Sequence, residues 1–232
     1  FLVLVLISVL IFSALSVNPA AGRYGMSVQD SSGSQVLSYG GSFALVIGIS
    51  EYEDRHWPDL PGVIDDINEI ADALQKHDFL VRKVLNPKLE ELERAYSKFI
   101  LDYGQDKKNR LLFWYAGHGY SHKPSWGGDF LGFLVGSDAP SPEISESGFK
   151  AKALSMVRME EYALNIGSKH AIFLFDSCFA GALFNLLNRA VPEHISVKTG
   201  SPVRQFITAG KENETVPDKS IFKRQFLAAL SG

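Results

Sequence analysis

Two short hydrophobic runs, each followed by a glycine-containing turn, constrain this sequence more than any other feature. The first run, residues 111–115, leads into a turn that contains His118, and the second, residues 171–175, leads into a turn that contains Cys178. Runs of this length that are rich in β-branched and aromatic residues predict buried strands. A histidine and the only cysteine of the chain therefore follow two predicted strands. In open α/β sheets, ligands and chemistry collect at that edge of the sheet.

Strand-like and helix-like segments alternate along most of the chain. Predicted strands occupy residues 43–49, 79–85, 111–115, 171–175 and 204–209. Apolar residues recur at helical spacing over residues 61–75, 89–103, 154–166 and 220–230. Residues 141–152 are predicted to form a loop. The alternation indicates βαβ units and an α/β domain with a mostly parallel sheet, and 46% hydrophobic residues suffice for one sizeable core.

The N-terminal segment is apolar and ends in small residues. Residues 1–17 contain no charged side chain, and residues 18–22 are Asn, Pro, Ala, Ala and Gly. This pattern resembles the apolar core and cleavage region of a secretory signal peptide, and its length is also close to that of a membrane span. We therefore expect residues 1–21 to export the chain (secreted or periplasmic) or to anchor it in a membrane; a buried core helix is the alternative. Because the sequence starts with Phe, we expect the basic leader to be missing. Residues 22–41 are rich in Ser and Gly and are predicted to form a linker.

The histidine and the cysteine suit nucleophilic catalysis. A single cysteine excludes an internal disulfide framework and a cysteine-rich zinc site. A thiol has a pKa of about 8.5 and is mostly protonated at pH 7, so a neighbouring imidazole that accepts its proton activates it. Cys178 and His118 are thus the candidate nucleophile and base, and the backbone N–H groups of Gly119 and Cys178 are candidates for an oxyanion hole. Taken singly, a hydrogen-bonded loop histidine and a buried apolar cysteine are simpler interpretations.

The two turns resemble the histidine and cysteine motifs of the caspase/metacaspase superfamily. The resemblance covers most of residues 42–232 and rests on the strand 43–49, the helix start at 61–66, residues 115–119, residues 133–139, residues 176–181 and residues 204–209. Asp-Ser-Cys before and at the cysteine is similar to metacaspases and bacterial orthocaspases, whereas eukaryotic caspases have Gln-Ala-Cys. The resemblance implies a three-layer α/β/α sandwich with a caspase-like sheet, a Cys-His dyad and cysteine endopeptidase activity. A catalytically silent caspase-fold module for partner binding or signalling is the alternative.

The residue two positions before the cysteine bears on specificity. Asp176 is predicted to project to the same side of the strand as Cys178. In metacaspase-like members an aspartate there helps to line the pocket for the residue before the scissile bond. The resemblance therefore implies protein or peptide substrates that are cleaved after Arg or Lys, because a carboxylate favours a cationic partner. Asp65 is a second acidic candidate for substrate binding. Capping of the following turn by Asp176, and of a helix by Asp65, are the alternatives.

Neither a cofactor nor a nucleic-acid partner is predicted. The net charge is −3 and there is no long basic run, which argues against a nucleic-acid surface. His118 and His122 have a metal-like interval, but that interval aligns two rings only on a helix. Some metacaspases depend on calcium, and Asp129, Asp138 and Glu143 are candidate contributors, although no loop has calcium-ligand spacing.

The segment after the cysteine suggests self-processing. Residues 182–203 lie where caspase-like chains carry the linker between the large and small halves of the domain. Together with a pocket for basic residues, this position motivates the hypothesis of self-cleavage at Arg189, Lys198 or Arg204. The resemblance also allows the domain, or an attached region, to continue beyond Gly232.

Overall fold

The computed structural model describes residues 24–29, 32–177, 203–209 and 220–231. Its strands are β1 (Met26–Gln29), β2 (Gln35–Tyr39), β3 (Gly41–Gly48), β4 (Leu80–Leu85), β5 (Asn109–Ala116), β6 (Gly119–His122), β7 (Leu131–Val135), β8 (Ala153–Ser155), β9 (His170–Asp176) and β10 (Val203–Thr208). Its helices are α1 (Gly62–Lys76), α2 (Leu89–Tyr103), α3 (Glu146–Lys152), α4 (Met156–Leu164) and α5 (Ile221–Ser231). Within these ranges no helix combines the length and the apolar character needed to cross a membrane. The predicted export segment, residues 1–21, lies outside the described residues.

A five-stranded sheet in the order β10-β9-β5-β3-β4 forms the centre of the molecule. All four neighbouring pairs are parallel. Every residue of β3, which lies between β5 and β4 in the sheet, is buried. An uninterrupted apolar run is what a parallel strand covered on both faces requires. The predicted α/β class with a mostly parallel sheet is confirmed.

Successive residues of the central strands supply two hydrophobic cores, one on each face of the sheet. On one face, Phe113 stacks on Phe173 with 4.4 Å between ring centroids, and Phe173 stacks on Phe206 at 4.6 Å. This face packs against α2 and α4. On the other face, Trp114 lies 5.4 Å from Phe222 of α5, and α1 completes the layer. Helices on both faces of one sheet confirm the three-layer sandwich.

Two short elements differ from the sequence prediction. Residues 141–152 were expected to be a loop, but Glu146–Lys152 form α3, whose start is capped by Ser145. This prediction is wrong because a seven-residue helix that buries one large side chain, Phe149, shows no helical period. The helix expected over 154–166 begins only at Met156, because β8 pairs with β7. Together with β6, these strands form a separate three-stranded antiparallel sheet.

Part of the predicted linker, residues 22–41, is a hairpin made of β1 and β2. The hairpin is attached to the domain, since Tyr39 Oη lies 3.0 Å from His170 Nδ1 and Ser42 Oγ donates to the Tyr24 carbonyl at 3.0 Å. The linker prediction is wrong for these residues. Serine and glycine are frequent in linkers, and their number obscured two strands of only four and five residues.

The register of β5 and β9 determines where the two predicted motifs begin. Ala116, the last residue of β5, lies opposite Asp176, the last residue of β9. The N–H of Gly117 donates to the carbonyl of Asp176 at 3.4 Å. In the sequence, His118 and Cys178 each follow this pair by two residues. The chain therefore leaves both strands at the same level of the sheet, and parallel neighbours are about 4.8 Å apart.

Candidate active site

The ring of His118 lies in the turn between β5 and β6, among aromatic side chains and a backbone carbonyl. Its centroid is 4.8 Å from that of Tyr52 and 5.4 Å from that of Trp57. Its Nε2 is 2.7 Å from the carbonyl oxygen of Pro58. Because a carbonyl only accepts, Nε2 must donate, and the neutral ring then carries its lone pair on Nδ1. The ring can accept a proton at Nδ1 while Nε2 stays hydrogen-bonded.

Two tyrosine hydroxyls hold the backbone of His118. The N–H of His118 donates to Tyr52 Oη at 2.8 Å, and Tyr115 Oη donates to the His118 carbonyl at 2.8 Å. Gly117 permits this close approach, since a Cβ there would lie 2.8 Å from Tyr115 Oη and 3.0 Å from Tyr52 Oη. Any larger residue would displace one of the hydroxyls that position the histidine.

The loop that presents the Pro58 carbonyl connects β3 to α1 and is fixed by its own hydrogen bonds. The N–H of Tyr52 donates to the Asp59 carboxylate at 3.0 Å. The N–H of Leu60 donates to the Ser50 carbonyl at 2.8 Å. Both bonds join a residue before Pro58 to a residue after it, so they close the loop and hold the Pro58 carbonyl in place. The orientation of the His118 ring is therefore determined by a backbone group rather than by a third catalytic side chain.

Burial lowers the pKa of His118 from its ordinary value of 6.5, because a poorly solvated site disfavours the imidazolium. The hydrogen bond to Pro58 and the charge of Asp59 act in the opposite direction but do not reverse the shift. The imidazole is therefore neutral at pH 7. A neutral imidazole is the form in which a general base accepts a proton.

Asp176 ends β9 as a buried carboxyl group, 6% exposed. By strand alternation it belongs to the face of the sheet that α1 and α5 cover. Its Oδ1 has no hydrogen-bond partner among the described residues. Burial raises the pKa of Asp176 to about 6, and the negative charge of Asp66 adds to the increase, while a hydrogen bond with Ser220 and the charge of Lys223 oppose it. A buried carboxylate oxygen without a partner is suited to a cationic ligand.

The second acidic residue near Asp176 is Asp66. Asp66 is buried in the first turns of α1, and its charge acts on Asp176. Its Oδ1 is 2.5 Å from the ammonium of Lys223, which also contacts Glu69 Oε2 at 2.7 Å. Asp65, the residue that we singled out from the sequence, is exposed. One step along an α-helix turns the side chain by about 100°, and the buried positions Val63, Ile67 and Ile70 place Asp66 rather than Asp65 on the inward side of α1.

The predicted nucleophile, Cys178, lies outside the described residues, and so does its N–H in the predicted oxyanion hole. Ser177, directly before it, is 1% exposed. Gly119, the other predicted oxyanion donor, is half-buried, begins β6 and lies opposite Leu134. The roles of Cys178 and Gly119 stay predictions.

Within the described ranges, no three His, Cys, Asp or Glu side chains are grouped so as to hold a metal ion. His122 lies on β6, and its Nε2 is 3.3 Å from Glu146 Oε1. Because β6 is a strand, the interval between His118 and His122 does not align their rings as a helix would. Of the residues considered for calcium, Asp138 is engaged by Lys152 at 3.1 Å.

Of the three candidate self-cleavage residues, Arg189 and Lys198 lie outside the described residues. Arg204 lies within β10, which pairs with β9. Its guanidinium donates to the carbonyls of Ala163 at 3.0 Å and Lys169 at 3.1 Å. Cleavage after Arg204 would require this side chain and the strand to leave the sheet, so the structure argues against that position.

Sequence reasoning missed the Pro58 carbonyl, Asp66 and Lys223. A backbone carbonyl has no signature in the sequence, because every residue carries one. Asp66 was visible as one of two adjacent aspartates, and the helical phase of α1, set by Val63, Ile67 and Ile70, could have identified it as the inward-facing one. Nothing in the sequence indicated that Lys223, about 160 residues later, would reach it.

Comparisons with known proteins agree with this architecture. A family model described as the caspase domain matches residues 42–229, which is more than half of the chain. The crystal structure of caspase-1 from Spodoptera frugiperda is similar over 82% of this chain and 68% of that one, with 13% identity and a TM-score of 0.52. A protein from Geobacter sulfurreducens is 14% identical over 65% of this chain, with a TM-score of 0.47, and the chain spans 55% of its length. No curated protein sequence matches the chain.

Proposed function

The chain belongs to the caspase-domain family, and from this premise we propose that it is a cysteine endopeptidase with a Cys178–His118 dyad that cleaves after Arg or Lys. The observation that carries the proposal is the setting of His118. Its ring is anchored through Nε2 on Pro58, is neutral at pH 7, and follows a strand whose last residue lies opposite Asp176. Cys178 follows Asp176 by two residues in the sequence.

The proposed reaction has two stages. His118 Nδ1 takes the proton of the Cys178 thiol, and the thiolate attacks the carbonyl carbon of the scissile peptide bond. The tetrahedral oxyanion is stabilised by the N–H groups of Gly119 and Cys178, each worth about 3 kcal/mol in acyl-transfer enzymes. Collapse of this intermediate breaks the C–N bond, and the imidazolium gives its proton to the leaving amine. Water then hydrolyses the thioester and regenerates the thiol.

The preference for Arg or Lys rests on the carboxylates at the end of β9. Asp176 is buried with an unpartnered oxygen, and Asp66 lies close enough for its charge to affect it. A buried anion gains more from a cationic partner than an exposed one, because water screens it less. The ammonium or guanidinium of a substrate side chain is such a partner.

Turnover of a fluorogenic peptide with Arg before the reporter group tests the proposal. We expect release of the reporter by the wild-type chain and none by Cys178→Ala, with and without added calcium. The matched substrate replaces Arg by citrulline, which has the same shape without the charge, and should be cleaved far more slowly. If no peptide is cleaved in a Cys178-dependent manner, a catalytically silent caspase-fold module for partner binding replaces the proposal.

A further inference from the structure

Lys223 of α5 already occupies the acidic site beside the end of β9. Its side chain is only 12% exposed, and its ammonium contacts Asp66 Oδ1 at 2.5 Å and Glu69 Oε2 at 2.7 Å. Asp66 is 11% exposed at its side chain, whereas Glu69 is 55% exposed. The ammonium therefore bridges a buried carboxylate, which faces the sheet, and a second one at the surface.

The position of Lys223 is coupled to Asp176 through Ser220. The backbone N–H of Lys223 donates to Ser220 Oγ at 2.9 Å, and the Ser220 side chain hydrogen-bonds to the Asp176 carboxyl. Asp176 itself keeps one buried oxygen without a partner in the described part of the chain. Two carboxylates thus contact the Lys223 ammonium, and the charge of Lys223 also acts on a third carboxyl group, Asp176, with which it makes no direct ion pair.

We propose that Lys223 is a built-in occupant of the pocket for the substrate's basic side chain, and that it must give up Asp66 and keep only its contact with Glu69 when a substrate enters. This inference rests on the proposed function. A substrate cation that reaches Asp176 and Asp66 would lie within a few ångströms of the Lys223 ammonium, and two like charges at that distance repel each other. Glu69 gives the displaced ammonium a partner at the surface. Lys223 would then weaken substrate binding without taking part in bond breaking.

The principal test is the kinetics of Lys223→Met at pH 8, where Asp176 is ionised. Removing the occupant should lower KM for the Arg peptide by about tenfold, the equivalent of one charge-assisted hydrogen bond, and leave kcat unchanged. Lys98→Met is the matched control, because Lys98 pairs with Asp102 on α2, which packs on the opposite face of the sheet. An unchanged or higher KM for Lys223→Met would overturn the proposal and make the ion pair purely structural.

Glu69→Gln provides a test with the opposite sign. Without its surface partner, Lys223 has only Asp66 to bind, so KM for the Arg peptide should rise. The same substitution in a Lys223→Met background should have no effect on KM. A role limited to stability would give equal effects of Glu69→Gln in both backgrounds, and this result would contradict the proposal. Lys223→Gln, which removes the charge but keeps a polar side chain, should lower KM as Lys223→Met does and serves if Lys223→Met fails to fold, whereas Lys223→Arg should keep the wild-type KM.

A binding measurement separates this inference from the proposed function. In Cys178→Ala, which cannot turn over, calorimetry measures the affinity for a tetrapeptide amide that ends in arginine. We expect Lys223→Met to tighten this binding by about tenfold. Tighter binding supports the inference even if no substrate is ever cleaved, whereas unchanged or weaker binding overturns it even if the wild-type chain proves to be a peptidase.

Discussion

The two sides of the candidate site are built from different chemistry. Around His118 the contacts are neutral, and consist of aromatic rings, tyrosine hydroxyls and the carbonyl of Pro58. At the end of the neighbouring strand β9, Asp176 lies near charged groups of α1 and α5. Burial among neutral contacts outweighs the charge of Asp59 and favours an uncharged imidazole that is ready to take a proton, whereas buried carboxylates attract a cation. In the proposed peptidase, the side around His118 would perform the reaction and the side around Asp176 would select the substrate.

The largest effect that would sharpen this comparison is expected from His118→Gln. The substitution removes the proton acceptor but retains a polar side chain of similar size. We expect kcat/KM for the Arg peptide to fall by about 10³-fold, in the range typical of a general base, with little change in thermal stability. His170→Gln is the control, since His170 begins the neighbouring strand β9 at the end of the sheet away from His118. Retention of more than a tenth of the activity by His118→Gln would contradict the catalytic assignment.

Asp176→Asn tests the selective side. Loss of the buried charge should reduce the preference for the Arg peptide over the citrulline peptide by about 100-fold, as expected for a charge-assisted hydrogen bond. Cleavage of the citrulline peptide should change little, and it serves as the internal control. If both substrates lose activity equally, Asp176 supports the structure of the turn and does not read the substrate's charge.

Asp176 should also make the stability of the fold depend on pH. Its pKa is about 6 in the folded chain and about 3.9 in the unfolded one, so the folded chain holds the proton to higher pH. Stability therefore declines as the pH rises through this window, and Asp176→Asn avoids the decline. Relative to the wild type, the variant should gain about 2 kcal/mol between pH 4 and pH 8.

Urea unfolding at the two pH values measures this gain. The comparison between the two pH values removes any constant effect of the substitution, such as a changed hydrogen bond with Ser220. A difference in unfolding free energy between variant and wild type that is the same at both pH values would show that the Asp176 carboxyl titrates alike in the folded and unfolded chains.

The smallest predicted effect distinguishes two adjacent aspartates. Asp66→Asn should raise KM for the Arg peptide about fivefold. The substitution removes one of the two carboxylates near the substrate cation and leaves the Lys223 ammonium without its buried partner. Asp65→Asn, on the exposed side of α1, should leave KM unchanged. Equal effects of the two substitutions would mean that only the general negative charge of this helix end matters.

Much of the fold was predictable, because long and strongly patterned segments carry their own signal. The apolar run of β3 and the amphipathic pattern of α2, which spans Leu89–Tyr103 as predicted, are examples. The short elements were not predictable. The hairpin of β1 and β2 and the seven-residue helix α3 are too short to display a period, and packing against the rest of the domain stabilises them.

The residues of the candidate site also fall into those that the local sequence identifies and those that it does not. His118 and Asp176 could be identified from the sequence because each follows an apolar strand, and Cys178 because it is the only cysteine. The groups that interact with His118 and Asp176 could not be identified from the sequence. The Pro58 carbonyl lies sixty residues from His118, and Lys223 is far from Asp66 along the chain.

By itself, the sequence determined which strands are buried, where they end and which reactive side chains follow them, because hydrophobic period and turn residues are local properties. Only the tertiary structure decided that β5 and β9 are neighbours in register, that Asp66 rather than Asp65 faces the sheet, and that Lys223 of α5 pairs with Asp66 of α1. These features depend on contacts between segments far apart in the chain. Such contacts form only when burial of the two cores brings the segments together.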